Sequence, residues 1–597
     1  MSESAVVEEL GQLPSDPAPE AGAGRWSQVR RIGVALWNRR PALVVTILAT
    51  LYSWLITYPV VLHLDGSIYG FPGDSTGTIA VYSWWAYALG HHLSIFQNTA
   101  WGAPYGANWD AVPFPVLQVL VMAPASLLFG GAVAYNLQVL SSFPLTAWTT
   151  FLVARRLGCR PLGAALSAFA FTFIPYHIEK AQGHAGQTHM EFFSGSLFLL
   201  LRWRQGGSRW NLIGAGAVAG LALWNDFYFA FITVFLVATF FVFGLAFDVA
   251  KSGLVGALRR YLTAGVAVAV TTALFLPAAV LIAERPAGGS IAGALSSQSA
   301  GFHQGLDQVL IFSARRDEYF LPYYANPLTP KSVVAYEQQH LHVSNFVEQT
   351  LFLGYTVMVL AALGVVIGVR RFETWLLLAI GTVGFLVAEP PLVHSFGPLR
   401  VPSPSLVLNP LVPIFRVYAR FGVLVMLGAT LLAGLGMSWL QDRLRGRASL
   451  LLAVPFLLTA IEFNNIPPLH VYSFDPAPAE YQWLLKQPPG ILVEYPLKAG
   501  SDAISQEIET RQYTFYQHVH GHPILNGGTT ASRADQISPE LEPYYGPGVA
   551  DHLRQIGIRY VFVHRTDYLR DQLQVPQDVP GLTYVATMDG VDVYTVG

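Results

Sequence analysis

Long apolar segments separated by short polar turns fill most of the first 466 residues of the chain. A helix that crosses a bilayer needs about 20 mostly apolar residues. The pattern changes after residue 466, where short strand-like segments alternate with helical ones. It therefore predicts an α-helical membrane domain of eleven spans and then a small α/β domain. The predicted spans are 41–63, 132–154, 161–176, 192–203, 210–224, 228–249, 261–283, 347–369, 374–388, 421–440 and 449–463.

The composition supports this interpretation. The 597 residues are 53% hydrophobic and only 12% charged, whereas a soluble domain has about 25% charged residues. This argues against a soluble enzyme, a disordered scaffold or a nucleic-acid-binding protein. Residues 1–40 are predicted to be a disordered cytoplasmic tail, residues 41–466 the membrane domain, and residues 467–597 an extracytoplasmic domain, which has eight basic and 15 acidic side chains.

The sidedness of the loops depends on one further apolar stretch, residues 112–130, which has Pro and Gly at its ends. Lys and Arg concentrate on cytoplasmic loops. If this stretch does not cross, the membrane domain has 14 basic and three acidic side chains inside, and eight basic and 14 acidic ones outside. We therefore expect 112–130 to lie in the outer interface, in a multi-pass protein of the plasma (inner) membrane with a cytoplasmic N-terminus.

The first outer loop contains a carboxylate next to a predicted interfacial helix. Asp74 belongs to Tyr69-Gly-Phe-Pro-Gly-Asp-Ser-Thr-Gly-Thr78 and directly precedes the helix predicted over 76–92. An Asp here could accept a proton from an attacking hydroxyl group. Alternatively, it could cap the helix. Both roles are compatible with the sequence.

The second outer loop, Tyr176 to Glu191, contains three His, two Glu and one Lys. Polar groups at a membrane edge are costly unless they are solvated or used. One interpretation is an anion pocket in which Lys180, His184 and His189 face a phosphate and Glu179 or Glu191 holds a partner. A divalent metal on His177, Glu179, His184 and His189 is an alternative, although the spacing matches no standard zinc pattern. A third interpretation is a solvated interfacial loop.

Arginines in the predicted outer loops run against the charge bias, so their presence there needs an explanation. Arg316, in Arg315-Arg-Asp-Glu318, could bind phosphate in a forked geometry or pair with its acidic neighbours. Arg416 and Arg420 are four residues apart, so we expect them on one helix face at the outer boundary. There they could bind phosphate or extend toward lipid headgroups.

Taken in order, these features resemble the GT-C superfamily of membrane glycosyltransferases, in a bacterial subgroup with a C-terminal extracytoplasmic domain. The resemblance rests on the long first loop with Asp74, the interfacial helices, the Ala154-Arg-Arg-Leu-Gly158 turn and the polar second loop. Phe415-Arg-Val-Tyr-Ala-Arg-Phe421 extends it. Many relatives have an Asp in the second loop, where this chain offers Glu179 and Glu191.

The resemblance implies a function. It implies transfer of a hexose or pentose from a polyprenyl-phosphate donor to a glycan, lipid or protein acceptor on the outer face. Asp74 would activate the acceptor hydroxyl and Glu179 would be the second catalytic acid. Substrate would be bound by Lys180, His184, His189, Arg316, Arg416 and Arg420. We expect no required cofactor and no resident metal. A flippase for lipid-linked glycans and a non-catalytic membrane assembly factor are the alternatives.

Overall fold

The structure is a computed structural model, and it is built mainly from α-helices. It describes residues 35–108, 116–275, 305–342, 344–396, 399–413, 415–497, 503–527, 532–570 and 573–597. Its first helices are α1 (Pro41–Ile56), α2 (Asp74–Gly90), α3 (Val116–Phe129), α4 (Gly131–Arg156), α5 (Pro161–Thr172), α6 (Pro175–Ala181), α7 (Glu191–Arg204), α8 (Trp210–Asn225), α9 (Phe227–Ser252) and α10 (Leu254–Ala273).

The middle of the chain continues the helical bundle. Its helices are α11 (Leu306–Ile311), α12 (Lys331–Gln339), α13 (Phe346–Gln349), α14 (Tyr355–Gly368), α15 (Phe372–Ala388), α16 (Pro404–Leu408), α17 (Gly422–Arg443) and α18 (Ala453–Glu462). Short 3₁₀ turns occur at Val60–Leu62, Ala185–Gln187, Asp317–Tyr319, Tyr418–Phe421 and Gly446–Leu452. Five short strands pair in this region or with the tail: β1 (Ser67–Tyr69), β2 (Gln97–Asn98), β3 (Ala107–Asn108), and the hairpin of β4 (Val393–Phe396) with β5 (Leu399–Pro402).

Several of these helices can cross a membrane. Among the described residues, four are long and apolar enough: Gly131–Arg156, Phe227–Ala250, Leu254–Ala273 and Tyr418–Arg443. Helices α5 and α6 meet at a bend of 44° and together could form a fifth span. Shorter apolar helices are α1, α3, α14 and α15. The protein is therefore a multi-pass helical membrane protein, and the count of eleven spans stays a prediction.

One predicted span begins later than the sequence pattern indicated. Residues 347–369 read as one apolar segment, but α14 starts only at Tyr355. The preceding residues form the single turn α13, which begins after Asn345, whose side chain accepts from the backbone N–H of Glu348 at 3.0 Å. Gly354, with φ +83°, then separates α13 from α14. This break places Glu348 outside the spanning helix.

Helix α17 lies at the centre of the bundle and contacts α5, α14 and α15. Glycines on the facing surfaces allow the backbones to approach closely. A methyl group added at Gly436 would overlap the carbonyl oxygen of Leu360, and one added at Gly364 would overlap that of Leu432. Small residues at helix crossings are the usual way in which membrane helices gain close packing. Helix α4 is the second hub and contacts α1, α2, α3, α5 and α7.

The last 130 residues contain both strands and helices. Strands β7 (Ile491–Tyr495), β8 (Ile558–His564), β10 (Val591–Val596) and β9 (Leu582–Met588) form one sheet in that order, and β7 and β8 are parallel. The helices here are α19 (Ala479–Leu484), α20 (Ala503–His520), α21 (Arg533–Ile537), α22 (Val549–Gln555) and α23 (Arg565–Arg570), with a 3₁₀ turn at Ser538–Glu540. The predicted domain boundaries stay predictions.

This C-terminal segment packs on the loop region between α1 and α4, which carries Asp74. Strand β6 (Val471–Ser473) pairs antiparallel with β1, and α20 packs on α2. Backbone hydrogen bonds also join the loop to the tail: Ile524 donates to Ala100 at 2.8 Å, and Gly102 donates to Asn526 at 3.0 Å. The tail therefore holds the loop that carries Asp74.

Candidate functional site

Asp74 is the first residue of α2 and remains accessible to solvent. The N-cap position is occupied by Gly73, and the hydroxyl of Thr76 accepts from the backbone N–H of Gly73 at 3.0 Å. Thr76 therefore makes the side-chain contact expected of a cap. The Asp74 side chain is 43% exposed, and a carboxylate in the first turn is favoured by the helix dipole.

His184, from the loop between Tyr176 and Glu191, lies directly beside Asp74. Its Nε2 atom is 3.4 Å from Oδ2 of Asp74 and 3.7 Å from Oε1 of Glu348. The two predicted site residues, 110 positions apart in the chain, thus share one location. Burial and the nearby Lys180 charge lower the pKa of His184. The imidazole is therefore neutral at neutral pH.

A buried ionic network extends from His184. Glu348 accepts a hydrogen bond from Lys180 Nζ at 2.6 Å and one from Arg420 Nε at 3.1 Å, and Arg420 Nη2 contacts its other oxygen. Burial alone would raise the pKa of Glu348, but the charges of Arg420 and Lys180 hold it well below its usual range. Two cations against one carboxylate leave one excess positive charge beside Asp74.

The two cations of this network are also held by aromatic rings. The guanidinium carbon of Arg420 lies 4.2 Å from the ring centre of Tyr228, and Lys180 Nζ lies 5.3 Å from that of Tyr176. Cation–π contacts of this kind strengthen when the pair is shielded from water. The network is therefore fixed in position as well as in charge.

Glu179 has a separate environment. It is fully buried and accepts hydrogen bonds from Tyr323 at 2.5 Å, Tyr324 at 3.0 Å and Gln182 at 3.0 Å. Gly70, with φ +122°, passes so close that an added methyl group would overlap the carbonyl oxygen of Gln182. The donors and the close backbone contact fix the start of the second loop against the first.

A chain of buried amides supports the other end of the second loop. The hydroxyl of Tyr82 donates to Gln138, and Gln138 donates to Gln118. Gln118 then donates to Asn225 at 2.6 Å, and Asn225 donates to the carbonyl oxygen of Gly186 at 2.7 Å. Every amide both accepts and donates, so the chain is satisfied along its length. It ends two residues from His184.

Three predicted substrate-binding residues lie outside this cluster. His189 pairs with Glu191 at 2.7 Å, and Arg316, which is 72% exposed, pairs with Glu389 at 2.9 Å. Arg416 is exposed, and its guanidinium carbon is 5.1 Å from the ring centre of Phe312.

The expected placement of Arg416 and Arg420 on one helix face is wrong. Residues Tyr418–Phe421 form a 3₁₀ turn and α17 begins only at Gly422. As a result Arg420 is buried and Arg416 is exposed.

The four residues of the predicted metal alternative have separate partners. His177 stacks on Phe143 and contacts Ser142 Oγ at 3.1 Å and the Thr172 carbonyl oxygen at 2.7 Å. Within the described parts of the chain, no three His, Cys, Asp or Glu side chains are arranged to hold a metal ion. These four side chains are therefore not gathered into one ligand set.

Sequence reasoning missed Glu348, Tyr228 and the two tyrosines on Glu179. The sequence pattern puts Glu348 at the start of the span predicted over 347–369 and indicates no role for it. A lone carboxylate at the edge of an apolar segment was the available signal, because such a group needs a counter-charge. The tyrosines belong to Phe320-Leu-Pro-Tyr-Tyr324, which has no distinguishing pattern.

Comparisons with solved structures identify the fold. The chain is similar to the oligosaccharyltransferase AglB of Archaeoglobus fulgidus, with a TM-score of 0.50, 12% identity, and coverage of 94% of this chain and 75% of AglB. It is also similar to the arabinofuranosyltransferase AftD from Mycobacteria, with a TM-score of 0.54 and 14% identity. That match covers 94% of this chain and 42% of AftD.

Both proteins are GT-C glycosyltransferases, and the two matches show that this chain shares their fold. No family model matches the sequence, and no curated protein matches it.

Proposed function

We propose that this protein is a membrane glycosyltransferase that moves a sugar from a polyprenyl-phosphate donor to an acceptor on the extracytoplasmic side. The observation that carries the proposal is the contact of Asp74 with His184 at 3.4 Å, beside the Lys180–Glu348–Arg420 network. The fold is shared with two glycosyltransferases, and the AglB structure was determined with a dolichol-phosphate. That lipid phosphate supports the proposed class of donor.

Asp74 acts as the general base in this proposal. Its carboxylate is the most exposed member of the cluster, so an acceptor hydroxyl can reach it. As the hydroxyl oxygen attacks the anomeric carbon, its proton passes to Asp74 and the bond from that carbon to the lipid phosphate oxygen breaks. The electron pair leaves with the phosphate, and attack from the opposite face inverts the anomeric configuration.

The surrounding charges stabilise the leaving group. The network of Lys180, Arg420 and Glu348 has one excess positive charge, and this charge is fixed before the reaction starts. Preorganised positive charge next to a developing anion lowers the barrier. Neutral His184 adds no competing charge to Asp74 and holds its carboxylate in place.

The outer residues complete the proposed site. Arg416 and Arg316, both exposed, are proposed to meet the lipid phosphate as it approaches from the membrane, and His189 is proposed to support the second loop. Glu179, predicted as a second catalytic acid, has its oxygens occupied by three donors. We therefore favour for it the role of orienting Lys180, its neighbour on α6.

A transfer assay tests the proposal. Protein reconstituted in proteoliposomes is incubated with radiolabelled polyprenyl-phosphate hexoses and pentoses and with membrane acceptors. We expect at least one donor to be consumed with release of polyprenyl phosphate. Asp74→Asn should abolish this turnover, whereas Asp65→Asn, a control on the same loop, should not. Absence of turnover with every donor, together with transbilayer movement of a lipid-linked glycan, would favour the flippase instead.

A further inference from the structure

A small pocket lies next to the two tyrosines that bind Glu179. Its polar lining includes Glu318, Glu337 and Gln349, and its aromatic lining includes Tyr324 and Phe346. The interior is about 10 Å³, which is room for about one water-sized group. Several lining residues are only half-buried, so the pocket reaches the surface.

Two oxygen atoms in this pocket lack a donor. Glu337 and Gln349 are each only 8% exposed, and neither Glu337 Oε2 nor Gln349 Oε1 accepts a hydrogen bond from any described residue. Buried polar atoms are almost always hydrogen-bonded, and each exception needs an explanation. The amide oxygen of Gln349 and the ionised carboxylate of Glu337 are acceptors, so the partner that matches both is a donor.

The charge in the pocket is also uncompensated. The carboxylate of Glu318 has hydrogen-bond partners, because it accepts from the backbone N–H of Arg315 at 2.7 Å and contacts Nε2 of His342 at 2.9 Å. Among the residues that the structure describes, none pairs with Glu337 in this way. Its burial and the nearby Glu318 raise the pKa of Glu337 to about 7. A bound cation would remove this penalty.

These features together specify the missing group. A water molecule or a sugar hydroxyl would supply a donor but no charge. A metal ion would need more ligands than the described residues offer. Tyr324 and Phe346 stack with ring centres 4.0 Å apart, and aromatic groups favour organic cations. We propose that this pocket binds an alkylammonium group, through Glu337 and Gln349.

The position of the pocket connects it to the reaction. Tyr324 lines it and also donates to Glu179, and Gln349 follows Glu348 directly on α13. The pocket and the transfer site therefore share a wall. This inference rests on the proposed function. It predicts that one of the two substrates, either the transferred sugar or the acceptor, has an amino group.

A binding experiment tests the pocket without relying on transfer. Purified full-length protein in nanodiscs is titrated at pH 7 with methylammonium, tetramethylammonium or methanol, and binding is followed by thermal stabilisation and calorimetry. Methylammonium has both charge and N–H donors, tetramethylammonium has charge alone, and methanol has a donor alone. We expect saturable millimolar binding of methylammonium and none of the other two. Equal binding of methanol, or binding of no probe, would overturn the proposal.

Variants assign the binding to the pocket. Glu337→Gln should weaken methylammonium binding by about 10- to 100-fold, because a hydrogen bond to a charged group is lost. Glu462→Gln alters a half-buried carboxylate outside the pocket, which accepts from the Thr356 hydroxyl at 2.8 Å, and this variant should bind methylammonium normally. Unchanged affinity in Glu337→Gln would overturn the assignment. Glucosamine and ethanolamine as further probes distinguish a sugar amine from an acceptor amine.

The variant Asp74→Asn distinguishes a failure of the pocket proposal from a failure of the proposed function. That variant should bind methylammonium as the wild type does, even though it performs no transfer. Binding by a protein that shows no transferase activity would therefore contradict the function alone and leave the pocket intact.

Discussion

The substitution Glu348→Gln tests whether the buried network holds the outer site together. Glu348 is 5% exposed at its side chain and is the one carboxylate between Lys180, which has no exposed side-chain surface, and Arg420, at 8%. Glutamine keeps the shape of the side chain but removes its charge. Lys180 and Arg420 then remain buried without the carboxylate that both of them contact.

The size of the effect follows from burial. Removing one partner of a buried ion pair costs about 3–5 kcal/mol, whereas whole domains are stable by about 5–15 kcal/mol. The pair of Arg160 with Asp442 offers a contrast, because it has a similar distance of 2.9 Å but side chains that are 60% and 52% exposed. An exposed pair contributes about 0–1 kcal/mol, so Asp442→Asn should change stability little.

The assay is denaturant unfolding in detergent micelles, followed by the fluorescence of the Trp residues. Glu348→Gln should lower the unfolding free energy by about 3–5 kcal/mol. Adding Lys180→Met to Glu348→Gln removes one uncompensated cation and should restore part of the loss. A loss below about 1 kcal/mol in Glu348→Gln, equal to that of an exposed pair, would refute the reasoning.

Three further predictions concern other parts of the site and the bundle. The pKa of His184 is lowered from 6.5 to about 3 in the folded protein. Between these two pH values the unfolded state binds more protons, so the free energy of unfolding rises with pH. The variant His184→Gln should flatten this rise, by up to about 1.4 kcal/mol per pH unit, in unfolding curves measured from pH 4 to 7. Gly436→Ala should destabilise by about 1–3 kcal/mol through its clash with Leu360, whereas Gly265→Ala, which meets no atom within 4 Å, should not; equal unfolding midpoints would contradict the packing. Gln118→Leu interrupts the amide chain and should cost about 1–3 kcal/mol in the same assay, and a stability equal to the wild type would argue against its role.

The sequence predicted the parts of the fold that depend on local pattern. The apolar segments predicted the ends of most helices to within a few residues. For example, α4 is Gly131–Arg156 and the predicted segment was 132–154. The hairpin of β9 and β10 turns at Asp589 and Gly590, which have positive φ values of 45° and 83°, and an Asp-Gly pair is the local sequence signal for such a turn. Each of these features is fixed by neighbours along the chain.

The site was only partly predictable, because its members meet through tertiary contacts. Asp74 and His184 were chosen from polar residues in two outer loops, and the structure brings them to 3.4 Å. Glu348 was missed because apolar residues follow it from Leu351 onward, so the break at Gly354 left no strong signal. The separation of Arg416 from Arg420 depends on a 3₁₀ turn, and a spacing of four cannot distinguish this turn from an α-helix.

Steady-state kinetics of Asp74→Asn test the central claim most directly. With the donor found in the transfer assay, the account predicts that kcat falls by about 10²–10⁴-fold, the usual contribution of a general base. The donor Kd, measured separately, should stay near the wild-type value, because Asp74 faces the acceptor hydroxyl. A variant that keeps the wild-type kcat, or loses only donor affinity, would contradict the role of Asp74 as the base.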